Sequence, residues 1–140
     1  MSWTEIRPYF ENLLDAADHS QWSDGFASDN IPSNLLDRAY HIAIGPLVGI
    51  SQNQQDQETQ TTVTVRTFYK GYNDPKTAID TAIEQTQLIM QSCVKPSNRV
   101  ATGGIKNVIF SEANIDPIDG SNDNAVVVTA NYTVRVILAV

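Results

Sequence analysis

The chain has 140 residues, a net charge of −7, and 41% hydrophobic against 18% charged residues. That length suits one domain with its own core, and that hydrophobicity excludes a wholly disordered chain. The pI near 4.5 disfavours nucleic-acid binding through an open basic patch, and one cysteine excludes a disulfide framework or a cysteine-based zinc site.

The opening stretch, MSWTEIRPYFENLLDAAD, predicts a helix over about Trp3 to Ala17. Ser2 and Glu5 have capping-box spacing, and Trp3, Ile6, Phe10, Leu13, Leu14 and Ala17 share one helical face. Pro8 removes an amide donor, so it kinks this helix or moves its start to about Arg7. The stretch is acidic and amphipathic, unlike a signal peptide. No run reaches the ~20 apolar residues of a membrane span. A reducing cytoplasm is the expected setting.

Residues 18–34 are rich in Asp, Ser, Asn, Gly and Pro and read as a loop, with Trp22, Phe26 and Ile31 expected to pin it to the core. A strand is expected over about Arg38 to Ile44. Gly45 to Gln60 holds five Gln in its last nine residues and shows no period, so it reads as a long mobile loop at about 45–60. Thr61 to Tyr69 alternates as a strand. Asp74 and Pro75 are a natural N-cap and first helical residue. The second helix then runs from Pro75 to about Val94, with an apolar stripe of Ile79, Ala82, Ile83, Thr86, Ile89, Met90 and Cys93. A strand over Ile105 to Glu112, a turn-rich ANIDPIDGSNDN connection and a long strand over Ala125 to about Leu138 complete the chain. One face of that last strand is nearly all apolar, the half-buried antiparallel pattern. The order α-β-β-α-β-β predicts a single α+β domain over 1–140. Its form is a two-layer sandwich, with two helices on one face of a mostly antiparallel four-stranded sheet.

Few residues suggest chemistry. His19 and His41 sit in different elements, short of a convergent metal-ligand set. Cys93 on the apolar helix stripe reads as a small buried hydrophobe rather than a nucleophile. Asp116, Asp119, Asp123, Asn122 and Asn124 supply oxygens, but their spacing misses the EF-hand order and suits turns. There is no G-x-S-x-G, P-loop or G-x-G-x-x-G. Arg66 and Arg135 lie on the polar faces of their strands, in the contexts VTVRTF and YTVRVIL. Such a face is either solvated or packed on a partner subunit.

Four segments carry a family resemblance in order: TEIRPYFENLL, then IPSNLLDRAYHIAIG, then VTVRTFYKGYNDPKTAIDTAIEQ, then GSNDN with the terminal TVRVILAV. Together they resemble the lambda-type tail terminator (tail-completion) family of long-tailed bacteriophages and its neck-protein relatives. The resemblance implies a hexameric ring that caps the tail tube, stops its polymerisation and presents a surface to the head. The implied partners are further copies of the chain, the tail tube protein and the head-closure or connector proteins of the neck. The implied location is the virion, after assembly in the host cytoplasm. No enzyme activity, cofactor or metal is implied, and none is membrane-bound. DNA is expected to pass through the lumen without sequence-specific binding, and the acidic charge suits that passage. The candidate subunit or tube interface comprises Gln52, Gln54, Gln55, Gln57, Glu58, Arg66 and Arg135. The alternatives are a head-closure or head–tail joining ring and a small-ligand-binding α+β module.

Overall fold

The computed structural model describes residues 3–21, 37–52, 56–71, 74–95, 105–118 and 124–139. A short 3-10 turn, Trp3–Glu5, leads into α1, Ile6–Ala16. Strand β1 is Ser20–Gln21, β2 is Ala39–Ile44, β3 is Val48–Gln52 and β4 is Asp56–Tyr69. Helix α2 is Pro75–Val94, followed by β5, Ile105–Pro117, and β6, Val126–Ala139. The strands form one sheet in the order β1-β2-β4-β6-β5, with β3 also paired to β4. Every pairing is antiparallel except the two-residue β1 against β2.

The α+β class is as expected, but the sheet has six strands rather than four among the described residues. The additions are β1 and β3. The expected mobile loop at 45–60 is corrected: most of it is the β3–β4 hairpin. Strands β2 and β3 lie along the same side of β4, broken at Gly45. At the break, Gly45 N donates to Thr62 O at 2.8 Å and Thr61 Oγ1 donates to Gly45 O at 3.0 Å. A Cβ on Gly45 would meet Thr62 O at 3.1 Å, so a side chain there crowds the junction. The polar residues of β4's first half form a strand because β6 pairs them, from Asp56↔Ala139 to Tyr69↔Val126. Thr59 and Thr61 are buried there, and Thr59 Oγ1 donates to Val136 O at 3.3 Å. A satisfied hydroxyl lets a threonine occupy a buried strand position.

Strand β5 also outruns its expected end at Glu112 and stays paired to β6 through Pro117↔Val126. Register shifts near Asn107 and Glu112 bend it. It lies at the sheet's edge, where Pro117 costs no ladder bond.

Both helices lie on one face of the sheet. Phe10 of α1 and Tyr132 of β6 have ring centroids 5.5 Å apart, and the main core joins Phe10, Leu14, Ile89 and Cys93 to Val63, Val65 and Val134. The helix start is Ile6, close to the alternative that Pro8 suggested. Pro8 stands in the first turn, where amides lack intrahelical acceptors, so α1 tolerates it. Ser2 lies outside the described residues, and the Glu5 side chain at the N-cap makes no capping hydrogen bond. Trp22, Phe26 and Ile31 also lie outside them.

Helix α2 has the expected limits. Asp74 Oδ1 accepts from Lys76 N at 3.0 Å, and Asp74 Oδ2 from Thr77 Oγ1 at 3.2 Å. Its buried stripe differs from the expected one. It is Ala78, Ala82, Ile89 and Cys93, whereas Ile79 and Ile83 are 43% and 53% exposed. Ala78 and Ala82 pack on Tyr69, Val126 and Val128. Two small residues let the helix approach the sheet closely, and that contact turns the isoleucines outward. Gly71 belongs to the same approach, since a Cβ there would meet Asp74 O at 2.5 Å and Ala78 Cβ at 2.9 Å.

Candidate functional site

Among the described residues both helices lie on one sheet face, and the other face carries the polar alternates of β4 and β6. Because β4 and β6 pair without a register shift, Glu58, Gln60, Thr62, Thr64 and Arg66 share this face with Thr129, Asn131, Thr133 and Arg135. Thr64 Oγ1 donates to Asn131 Oδ1 at 2.8 Å, and Asn131 Nδ2 donates to Glu112 Oε1 at 3.4 Å. A short cross-strand polar chain thus spans three strands. At one end Ala39, Phe68 and Val127 gather with Ala125 in a small buried apolar cluster.

Toward the opposite end, Glu58 receives two cations. Lys106 Nζ lies 3.2 Å from its carboxylate and Arg135 Nη1 lies 3.9 Å away. Arg66 is far from this group. It pairs with Thr129, six residues along β6 from Arg135, which is about 20 Å of strand. Arg66 stands beside His41 across the β2–β4 ladder. Burial first, then the nearby Arg7 and Arg66 charges, hold the His41 imidazole below its usual pKa. Arg7 itself donates to Ile42 O at 3.0 Å, occupying a carbonyl of β2.

Of the sequence-predicted interface residues, Glu58 and Arg135 are brought together, and Arg66 shares their face at a distance. Gln57 lies on the opposite, helix-bearing face, because β4 residues alternate. Gln52 pairs with Gln57 in the β3–β4 hairpin, and Gln54 and Gln55 lie outside the described residues. Sequence reasoning missed Lys106, Glu112 and Asn131. Their polar-out alternation was the available signal, but the register that joins them is non-local.

A groove runs between α2 and β5. One part, about 320 Å³, is lined by Pro75, Ile79, Ile115 and Ile118, and the next, about 240 Å³, by Ile83, Met90 and Phe110. Among the described residues its lining is mostly apolar and includes no titratable side chain.

The remaining chemistry-bearing groups are buried in the core. His19 Nδ1 lies 2.8 Å from Ala17 O, which only accepts, so Nδ1 carries the proton. His19 Nε2 then accepts from the Tyr69 hydroxyl at 2.8 Å. Burial is the main cause holding His19 below its ordinary pKa. Burial also pushes the Cys93 thiol up to about 12, leaving it protonated and unreactive at neutral pH. The buried Tyr132 hydroxyl makes no well-formed hydrogen bond and lies against that thiol. Among the described residues no three His, Cys, Asp or Glu side chains gather in a metal-binding cluster. No described helix is long and apolar enough to cross a membrane.

Comparison with protein-family models gives no match, and comparison with curated proteins gives no significant match.

Proposed function

We propose that this chain is a structural assembly protein of a bacteriophage tail, a tail terminator whose copies form a ring on the end of the tail tube. The resemblance of its four ordered segments motivates the reading. The observation that carries it is a division of the surface. A long polar sheet face has side chains bonded to one another across strands, and the apolar groove is lined, among the described residues, by no group suited to acid–base work. Surfaces of that kind serve macromolecular contact. In this reading Glu58, Lys106 and Arg135 belong to a contact surface with the tube or a neighbouring subunit. The ring is head to tail, closing by rotation.

The test is the solution mass of the chain, alone and mixed with tail tube protein, together with tube length by electron microscopy. A closed oligomer, with tube growth halted when it is added, is expected. A strict monomer that leaves tube growth unchanged overturns the reading. Binding to portal or adaptor protein instead of tube protein would move the assignment to a head-closure ring.

A further inference from the structure

Strand β5 is the last in the sheet order, and among the described residues it pairs only with β6. Alternate residues of an edge strand turn their N–H and C=O away from the ladder, so the outer side of β5 is a row of backbone donors and acceptors. Register shifts beside Asn107 and Glu112 interrupt that row, and Pro117 ends it. Between them Glu112–Asp116 is regular, paired residue for residue with Asn131 back to Val127, which gives about 17 Å of straight edge.

The apolar groove lies above the same stretch. Ala78 and Ala82 seat α2 on Tyr69, Val126 and Val128, while Ile79 and Ile83 open on the β5 side and line the groove with Ile115 and Phe110. The helical wall from Ile79 to Met90 is about 16 Å long, which matches the regular edge below it. Neighbouring strands lie about 4.8 Å apart, so a strand added beyond β5 passes beneath the exposed flank of these isoleucines. A helix laid in the groove covers Ile79 and Ile83 but leaves the peptide groups of β5 outside any ladder. An extended chain covers the isoleucines and continues the ladder, the strand-addition mode of recognition.

The edge side chains define what such a strand carries. Ala113 and Ile115 are half-buried toward α2, whereas Glu112, Asn114 and Asp116 are exposed on the other face. Opposite Glu112 and Asp116, basic residues are favoured and acidic ones repelled. Exposed Lys76 and Asp80 on α2 offset one another, and Lys106 lies past the register shift with its ammonium on Glu58. A second copy brings a net charge of −7 to this acidic edge, which argues for a basic partner instead.

We propose that the β5 edge from Glu112 to Asp116, with the α2 groove above it, takes a short extended segment of another polypeptide as an added strand. Its alternate residues are apolar toward α2 and basic toward Glu112 and Asp116. The contact goes beyond the ring reading and stands whether or not the chain forms a ring.

The experiment pans the full-length chain against a displayed library of short random peptides and remakes the enriched ones synthetically. They are expected to alternate apolar and basic residues, and on binding to slow hydrogen exchange within Glu112–Asp116. Methylating one alternate set of peptide backbone amides is expected to abolish binding, and methylating the other set to leave it intact. Ile83→Glu is expected to weaken binding about tenfold or more with the melt unchanged, because it sets a charge against a buried aliphatic contact. Ile83→Ser repeats the test with a milder change. No enrichment, peptides with helical spacing, or equal loss from both methylated sets overturns the proposal while leaving the ring reading standing. A wild-type oligomer that Ile83→Glu dissociates makes a second copy the occupant and overturns it as well.

Discussion

Replacing Ile89 and Ile83 in turn by Ala tests how α2 is seated. The two residues share type and helix, but Ile89 is 4% exposed in the main core and Ile83 is 53% exposed over the groove. Truncating a buried isoleucine costs about 3 kcal/mol, from lost transfer energy plus the cavity left behind. At Ile83 half the side chain already meets water, and the cost falls to about 1 kcal/mol or less. An unfolding entropy of about 2.1 cal/mol/K per residue makes 1 kcal/mol about 3 °C for a chain of this size. Ile89→Ala is therefore expected to lower Tm by about 10 °C and Ile83→Ala by about 3 °C or less. The assay is calorimetry in dilute solution, where self-association adds nothing to the melt. Equal losses, or a larger loss at Ile83, would refute the seating of α2 on Ala78 and Ala82.

Three further outcomes are expected. Both histidines have lowered pKa values in the folded chain, so below about pH 6.5 the unfolded state binds protons that the folded state refuses. Stability to urea is therefore expected to fall as pH drops through and below that value, and His19→Asn should flatten the decline; an unchanged slope would remove His19 as its cause. Asp74→Ala takes away the α2 cap and should cost about 1 kcal/mol, read from the midpoint of urea unfolding. The Cys93 thiol should resist a thiol reagent at pH 8 in the native protein and react at once in denaturant, and rapid native labelling would contradict its burial.

The parts of the fold legible in the sequence were those fixed locally. Asp74 and Pro75 set the start of α2 through one side chain and one ring, so its limits could be read directly. The alternation of β6 from Val126 to Val136 was likewise visible, because its even-numbered residues are buried toward the helices. The phase of α2 was legible in part: Ala82, Ile89 and Cys93 of the expected stripe are buried. Hydrophobicity also favoured Ile79 and Ile83 as core, whereas packing on the sheet put the small Ala78 there and left the isoleucines exposed. The first half of β4 was hidden for another reason. Its glutamines and threonines have weak burial signals, and the strand is specified by β6, whose paired residues come 71 (Thr62↔Thr133) to 83 (Asp56↔Ala139) positions later in the chain. The same non-locality concealed the meeting of Glu58 with Arg135 and Lys106.

The place of β6 between β4 and β5 bears on how the protein is made. Synthesis runs from the N-terminus, so β6 emerges after every other described strand. Until it arrives, β4 and β5 have no ladder joining them, and Val63 and Val65 lie along an unpaired edge. The two flanks of the sheet must therefore wait as separate pieces, and insertion of the final strand welds them in one step. Such late, long-range pairing is slow and leaves sticky intermediates. Nascent chains halted before Val126 are accordingly the species on which aggregation or chaperone capture would fall.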